Sequence, residues 1–272
     1  MESMDKTMES RRSRRDFLTT ALGAGAAMLL GSGWLNAAAD KRTTAADPRI
    51  AHILAGTIAI DMHNHVYPAG TEPHNGQPQQ EQPPSAPLFL AEELKRSGLT
   101  AVCASFVLDF APAKKPGDSR DALLRWFAAI DAQLERGHIR RALNLKDLQA
   151  AHDLGHPTIV QTVEGSQFLE GHLERVEEVY QRGLRDLQLL HEHDDLITPL
   201  GDTNTTPAHL GGLTAFGADV IRECNRLGIV VDLAHASHET VLGALKVTTQ
   251  PVLISHTSLD SRTGGDPRML QI

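Results

Sequence analysis

The sequence predicts an α/β fold of the (β/α)8 TIM-barrel type, incomplete, with about six β–α units present and strands seven and eight missing. Three observations carry this expectation. Six short apolar runs alternate with helical patterns through most of the chain, as in parallel sheets covered on both faces. The first run is followed by Asp-x-His-x-His, not by the Gly-x-Gly-x-x-Gly turn expected of a dinucleotide-binding sheet. Five of the six runs end in His or Glu, which suits a ring of strands with its chemistry at the C-terminal ends.

The predicted strands are Thr57–Asp61, Ala101–Phe106, Thr158–Val163, Asp186–Leu190, Val230–Leu233 and Val252–Ser255. Each is short, several are β-branched, and most are bounded by Gly or Pro. Helices are predicted over Asp121–Glu135, Leu169–Arg182 and Thr214–Leu227. The first carries Leu123, Leu124, Phe127, Ile130 and Leu134 on one face. The second repeats the pattern with Leu169, Leu173, Val176 and Val179. Thr214 offers a capping hydroxyl to the third, and Gly228 ends it. "GTEPHNGQPQQEQPPSAP" (70–87) has no period and reads as a long loop after the first strand.

The chain has 272 residues, 41% hydrophobic and 22% charged, an ordinary globular composition. Its net charge of −8 argues against a nucleic-acid partner. Residues 1–39 read as a targeting segment: Arg14 and Arg15 precede an apolar stretch from Phe17 to Leu35, and Ala37 and Ala39 form an Ala-x-Ala cleavage pattern. The Arg-Arg-x-Phe-Leu order resembles a twin-arginine signal. That resemblance implies passage through the twin-arginine export machinery and a periplasmic or secreted mature protein; a retained membrane anchor is the alternative. Residues 40–56 then form a lead-in, and 57–272 the partial barrel. Cys103 falls in a predicted strand and Cys224 in a predicted helix, so two separate buried thiols are expected.

The chemistry comes from the 14 histidines. In "IAIDMHNHVY" (58–67), side chains two apart on a strand project together, so His63 and His65 would converge beside Asp61. Alone, the pair fits a metal site or an ordinary loop. Strand three ends in Glu164, the fourth in His191 with His193 after it, the fifth in His235 and the sixth in His256. Imidazoles with a carboxylate and no thiolate suit zinc, with manganese, iron or cobalt as other divalent candidates. Four histidines and Glu164 exceed one open catalytic site, whereas two ions sharing Glu164 would use them all. A hydroxide held between two divalent ions is a nucleophile at neutral pH. The expected reaction is metal-assisted hydrolysis of an amide or related bond. Asp61 and Asp232 are expected to hold imidazoles in place.

"GGLTAFGADVIRECNRLGIVVDLAHAS" (211–237) and "QPVLISHTS" (250–258) resemble the membrane dipeptidase (renal dipeptidase-like) family of zinc peptidases. "VEG" (163–165) and "GLRDLQLLH" (183–191) add weaker matches in the right order. The resemblance implies a barrel with two zinc ions that cleaves dipeptides. By position, it implies that His63, His65 and Glu164 hold one ion and Glu164, His235 and His256 the other. His191 would orient the scissile carbonyl, and Arg268, less so Arg262, would bind the substrate carboxylate. Two departures accompany it. Many family members carry Asp where this chain has His65, so the site loses a negative charge. The family's catalytic aspartate comes from an eighth strand, and extending the chain through an aspartate-bearing strand is expected to raise activity. The alternatives are an amidohydrolase acting on a non-peptide amide or lactone, and a truncated non-catalytic barrel remnant. A homodimer is carried as an expectation with no motif of its own.

Overall fold

The structure is a computed structural model that describes residues 47–65, 89–109, 113, 115–192, 197–257, 259–260 and 270–271. The chain divides into two compact units, Met1–Pro48 and Arg49–Ile272. Of the first, only Asp47 and Pro48 are described. The signal segment 1–39, the loop 70–87, His193, Arg262 and Arg268 all lie outside the described residues.

Six parallel strands form one sheet: β1 (Ile60–Asn64), β2 (Ala101–Val107), β3 (Thr158–Glu164), β4 (Leu184–Gln188), β5 (Val230–Asp232) and β6 (Val252–Leu253). Their spatial order is their chain order, β1-β2-β3-β4-β5-β6. A doubly wound sheet reverses direction at a switch point; this one never does. It is the arc of an incomplete barrel. Among the described residues, two further strands, β7 (Leu259–Asp260) and β8 (Leu270–Gln271), pair with each other.

The helices are α1 (Pro48–Ala55), α2 (Phe89–Ser97), α3 (Asp118–Gly137), α4 (Leu145–Leu154), α5 (Arg175–Gln181), α6 (Ala215–Leu227) and α7 (His238–Val247). Among the described residues, none is long and apolar enough to cross a membrane. α6 shows why these stretches are helical. The Thr214 hydroxyl accepts from Gly217 N at 3.0 Å and caps the first turn. Val220, Ile221 and Cys224 bury one stripe, and Gly228 at φ +79° stops the last turn. α3 presents Leu123, Phe127, Ile130 and Leu134 to the arc, where they join Val102, Ile159 and Val163 of β2 and β3 in one core. Cys103 and Cys224 are both free and buried, and burial raises each thiol to about 12.

Several elements depart from the sequence expectation: β6 stops at Leu253, two residues short of Ser255, and α2, α4 and α7 have no predicted counterpart. β1 begins at Ile60, not Thr57, and runs on through His63, with a register shift between Asp61 and Asn64. The expected helix from Leu169 starts only at Arg175. Glu170 at φ +48° and Gly171 at φ +80° leave the helical region. The Arg175 guanidinium also donates to the Phe168 and Leu169 carbonyls, which a helix would have used. β4 is displaced two residues toward Gly183. There the ladder stops at Gln188, whose side-chain amide donates to Leu190 O at 2.6 Å. The lead-in 40–56 contains α1, which buries no residue.

Candidate metal centre

Glu164 ends β3 with only 1% of its side chain exposed. Its two carboxylate oxygens face two groups of imidazoles. Oε1 lies 3.3 Å from His191 Nε2, 3.4 Å from His235 Nε2 and 3.5 Å from His256 Nε2. Oε2 lies 3.5 Å from His63 Nε2 and 3.7 Å from His65 Nε2. The two groups touch each other: the His63 and His256 rings are 3.8 Å apart between centroids.

Local structure aims each ring. Asp61 Oδ1 accepts from His63 N at 3.2 Å and Oδ2 accepts from Asn64 Nδ2 at 2.9 Å. The acid expected to hold an imidazole therefore holds the backbone and the asparagine of the bulged strand instead. His235 adopts φ +64°, left-handed for a non-glycine residue; Asn204 N donates to its carbonyl at 2.8 Å and keeps the turn. Asp232 accepts from Ala234 N and Ser255 N, at 3.0 and 3.1 Å, and from the Ser255 hydroxyl. Ser255 Oγ is 2.9 Å from His256 Nδ1, so Asp232 supports that ring through the serine.

The donor set fits divalent ions. About 2.1 Å of metal–nitrogen distance in a tetrahedral site places neighbouring ligand atoms roughly 3.4 Å apart. Here His63 and His65 present Nε2 atoms 3.2 Å apart, and His235 and His256 present theirs 2.9 Å apart. Glu164 Oε2 is buried and has no hydrogen-bond partner, an arrangement that a buried carboxylate tolerates only with a cation to face. Two sets, His63–His65–Glu164 and Glu164–His235–His256, keep all their donor atoms within 4.8 Å of one another. A third, His191–Glu192–His235, meets the same limit, with Glu192 exposed.

Electrostatics favour the ligand protonation states. Burial works against charge on Glu164, but the His63 imidazole beside it and the nearby His191 outweigh it and bring the acid down to about 2. Burial lowers His235 to about 4, with His191 adding to the effect, and burial also lowers His256. Neutral imidazoles and an ionised carboxylate are the forms that bind metal. His191 differs. Burial opposes its charge, but Asp109 at its Nδ1, with Glu164, raises it.

Two acids escape a reading of strand ends. Asp109 lies beyond β2, and its carboxylate meets His191 Nδ1. Asp202 is buried and ties down the loop beside His235, accepting from His209 N, Leu210 N and Gly212 N at 2.7 to 3.2 Å. Lower in the arc, Asp186 is buried with Oδ1 unpartnered; burial, then the charge of Asp232, raises it well above the usual carboxylate range.

A parallel-strand arc that gathers histidines around one carboxylate at its C-terminal end defines a barrel-type protein with a candidate metal centre. Residues 48–263 match the model of the membrane dipeptidase family, peptidase family M19, and the chain belongs to that family. An uncharacterized dipeptidase of Schizosaccharomyces pombe is 36% identical over 111 residues, 41% of this chain and 27% of that protein. Among solved structures, an amidohydrolase from Pseudomonas aeruginosa aligns with a TM-score of 0.64 at 20% identity, over 83% of this chain and 59% of the other. The probable dipeptidase PvdM from the same organism aligns with a TM-score of 0.64 at 17% identity, over 82% and 58%. A dipeptidase described as a metallo peptidase of family M19 aligns with a TM-score of 0.57 at 17% identity, over 66% and 56%. These structures are similar in fold. The chain spans about a quarter of the curated relative's length and under three-fifths of each solved chain.

Proposed function

We propose that the protein is a dipeptidase that hydrolyses the peptide bond of dipeptides with two zinc ions, one held by His63, His65 and Glu164 and the other by Glu164, His235 and His256. The observation that carries this reading is the division of labour at Glu164, whose separate oxygens face separate imidazole pairs within 3.7 Å. Divalent ions held there supply Lewis acidity and an activated water at neutral pH. The chain's own part is to hold that site and present the substrate. Glu164 places its negative charge between the two histidine pairs. His191 turns Nε2 toward the same carboxylate and is suited to orient the scissile carbonyl. Neutral His235 and His256 remain free of competing protons at pH 7, since burial holds them below the usual imidazole range.

We further propose that residues 1–39 direct export of the folded protein through the twin-arginine route, as the Arg14–Arg15 pair and the Ala37-x-Ala39 pattern suggest. The relatives named dipeptidases support the substrate class, and the family membership supports metal dependence. The reading is tested with zinc-loaded protein and a panel of L-L, L-D and N-blocked dipeptides beside a lactone. Cleavage restricted to dipeptides with a free α-amine is expected. Turnover of blocked dipeptides or lactones in preference would replace the reading with a broader amidohydrolase.

A further inference from the structure

Five strand ends carry the cluster, and β2 is the exception until its continuation is followed. β2 pairs with β3 in register as far as Val107 opposite Glu164. The backbone contact then continues one step, with Leu108 N donating to Glu164 O at 3.2 Å. The next residue, Asp109, is thereby delivered to the same end of the arc as the Glu164 carboxylate. Its side chain is 6% exposed and meets Nδ1 of His191, whose own side chain is 10% exposed. The other ring nitrogen, Nε2, stands 3.3 Å from Glu164 Oε1. One imidazole is therefore held between two carboxylates that come from neighbouring strands.

We propose that Asp109 is a positioning residue that fixes the orientation of His191 by holding its Nδ1–H. A carboxylate only accepts, so Nδ1 donates to Asp109; Nε2 faces a second acceptor in Glu164, and what Asp109 decides is which nitrogen points there. The atom presented to Glu164, and to any carbonyl bound there, is then always Nε2. Which imidazole nitrogen acts is decided by the partner of the other one. A half-turn of the ring would put the carbons Cδ2 and Cε1 where Nδ1 and Nε2 stand, and it would break the contact with Asp109. The His191 ring packs at 4.6 Å from that of His235, which fixes its position but not its polarity. Asp109 supplies the polarity. The geometry thus completes a pattern in which each of the six strands of the arc contributes a side chain to the cluster.

The catalytic consequence rests on the dipeptidase reading, whereas the orientation of His191 does not, and the test separates them. In full-chain protein labelled with 15N-histidine and stripped of metal, His191 is identified by the signal lost in His191→Gln. A protonated Nδ1 with a slowly exchanging proton is expected, and that proton should vanish in Asp109→Ala. Asp109→Asn, whose side-chain oxygen can still accept, should restore the Nδ1 proton. In zinc-loaded protein, Asp109→Ala should lower kcat by about 10–100-fold, the usual range for an outer partner of a site histidine, with KM and metal content unchanged. An inactive wild type with the expected Nδ1 signal would remove the dipeptidase reading and leave the positioning role intact. A wild type with no proton on Nδ1, or an unchanged signal in Asp109→Ala, would overturn the proposal. So would loss of zinc in Asp109→Ala with kcat per bound zinc preserved. Should Asp109→Ala fail to fold, Asp109→Leu replaces it and the same signal is read.

Discussion

Replacing Glu164 with glutamine changes one oxygen for nitrogen and removes the charge at the centre of the cluster, with volume almost unchanged. The size of the effect in metal-free protein follows from the acid's position on the pH scale. Its surroundings hold it at about 2 against an ordinary 4.5. At 1.36 kcal/mol per pH unit, the folded chain favours the ionised form by about 3 kcal/mol relative to the unfolded chain. The direction is that of a depressed carboxylate: the contribution is fully present above pH 4.5 and is lost as pH falls through about 2. Glu164→Gln should therefore lower the unfolding free energy by about 3 kcal/mol at pH 7. The difference from the wild type should narrow below pH 4.5. Urea unfolding of both proteins in chelator, at pH 7, 5 and 3, measures it. A variant as stable as the wild type at pH 7, or a difference that widens on acidification, would refute the reasoning.

Other expectations follow from single residues. His235→Ala should remove one zinc equivalent while leaving the His63–His65 position occupied, and His63→Ala the reverse, both read as metal per chain after dialysis. Acidification should also strip metal steeply as the pH approaches about 4, where His235 takes up its proton; zinc retention across a pH series tests this. Phe127 is fully buried against the arc, and Phe127→Ala should cost about 3–5 kcal/mol in urea unfolding. Asp186→Asn should raise stability at pH 7, because burial already disfavours the charged acid there, and the gain should vanish below pH 3.8.

Much of the arc could be read from the chain because buried parallel strands leave a local trace. "AVCASFV" and "TIVQTVE" are buried along almost their whole length, so their apolar runs and their ends coincide. A parallel arc gathers its C-terminal ends, which is why His63, His65, Glu164, His191, His235 and His256, scattered over nearly 200 positions of sequence, lie side by side. What escaped notice depends on contacts across the chain. Asp109 escapes because the strand predicted from the sequence ends at Phe106, whereas Val107 and Leu108 prolong the apolar run and pairing with β3 carries the backbone onward. Asp202 earns its place through amides seven to ten residues away, a spacing with no period. The helix expected at Leu169 had the right apolar spacing, but Arg175 competes for its carbonyls. α4 and α7 did carry local signals, the caps Asn144 and Ser237, followed by weaker apolar stripes.

The account stands on one carboxylate shared between two imidazole pairs. Zinc per chain, measured by mass spectrometry after zinc loading and exhaustive dialysis, with the zinc coordination read by X-ray absorption, tests it most directly. Two equivalents bound by nitrogen and oxygen alone, with both equivalents weakened in Glu164→Gln, is the predicted result. A single equivalent, a sulfur ligand from Cys103 or Cys224, or two equivalents indifferent to Glu164 would contradict it.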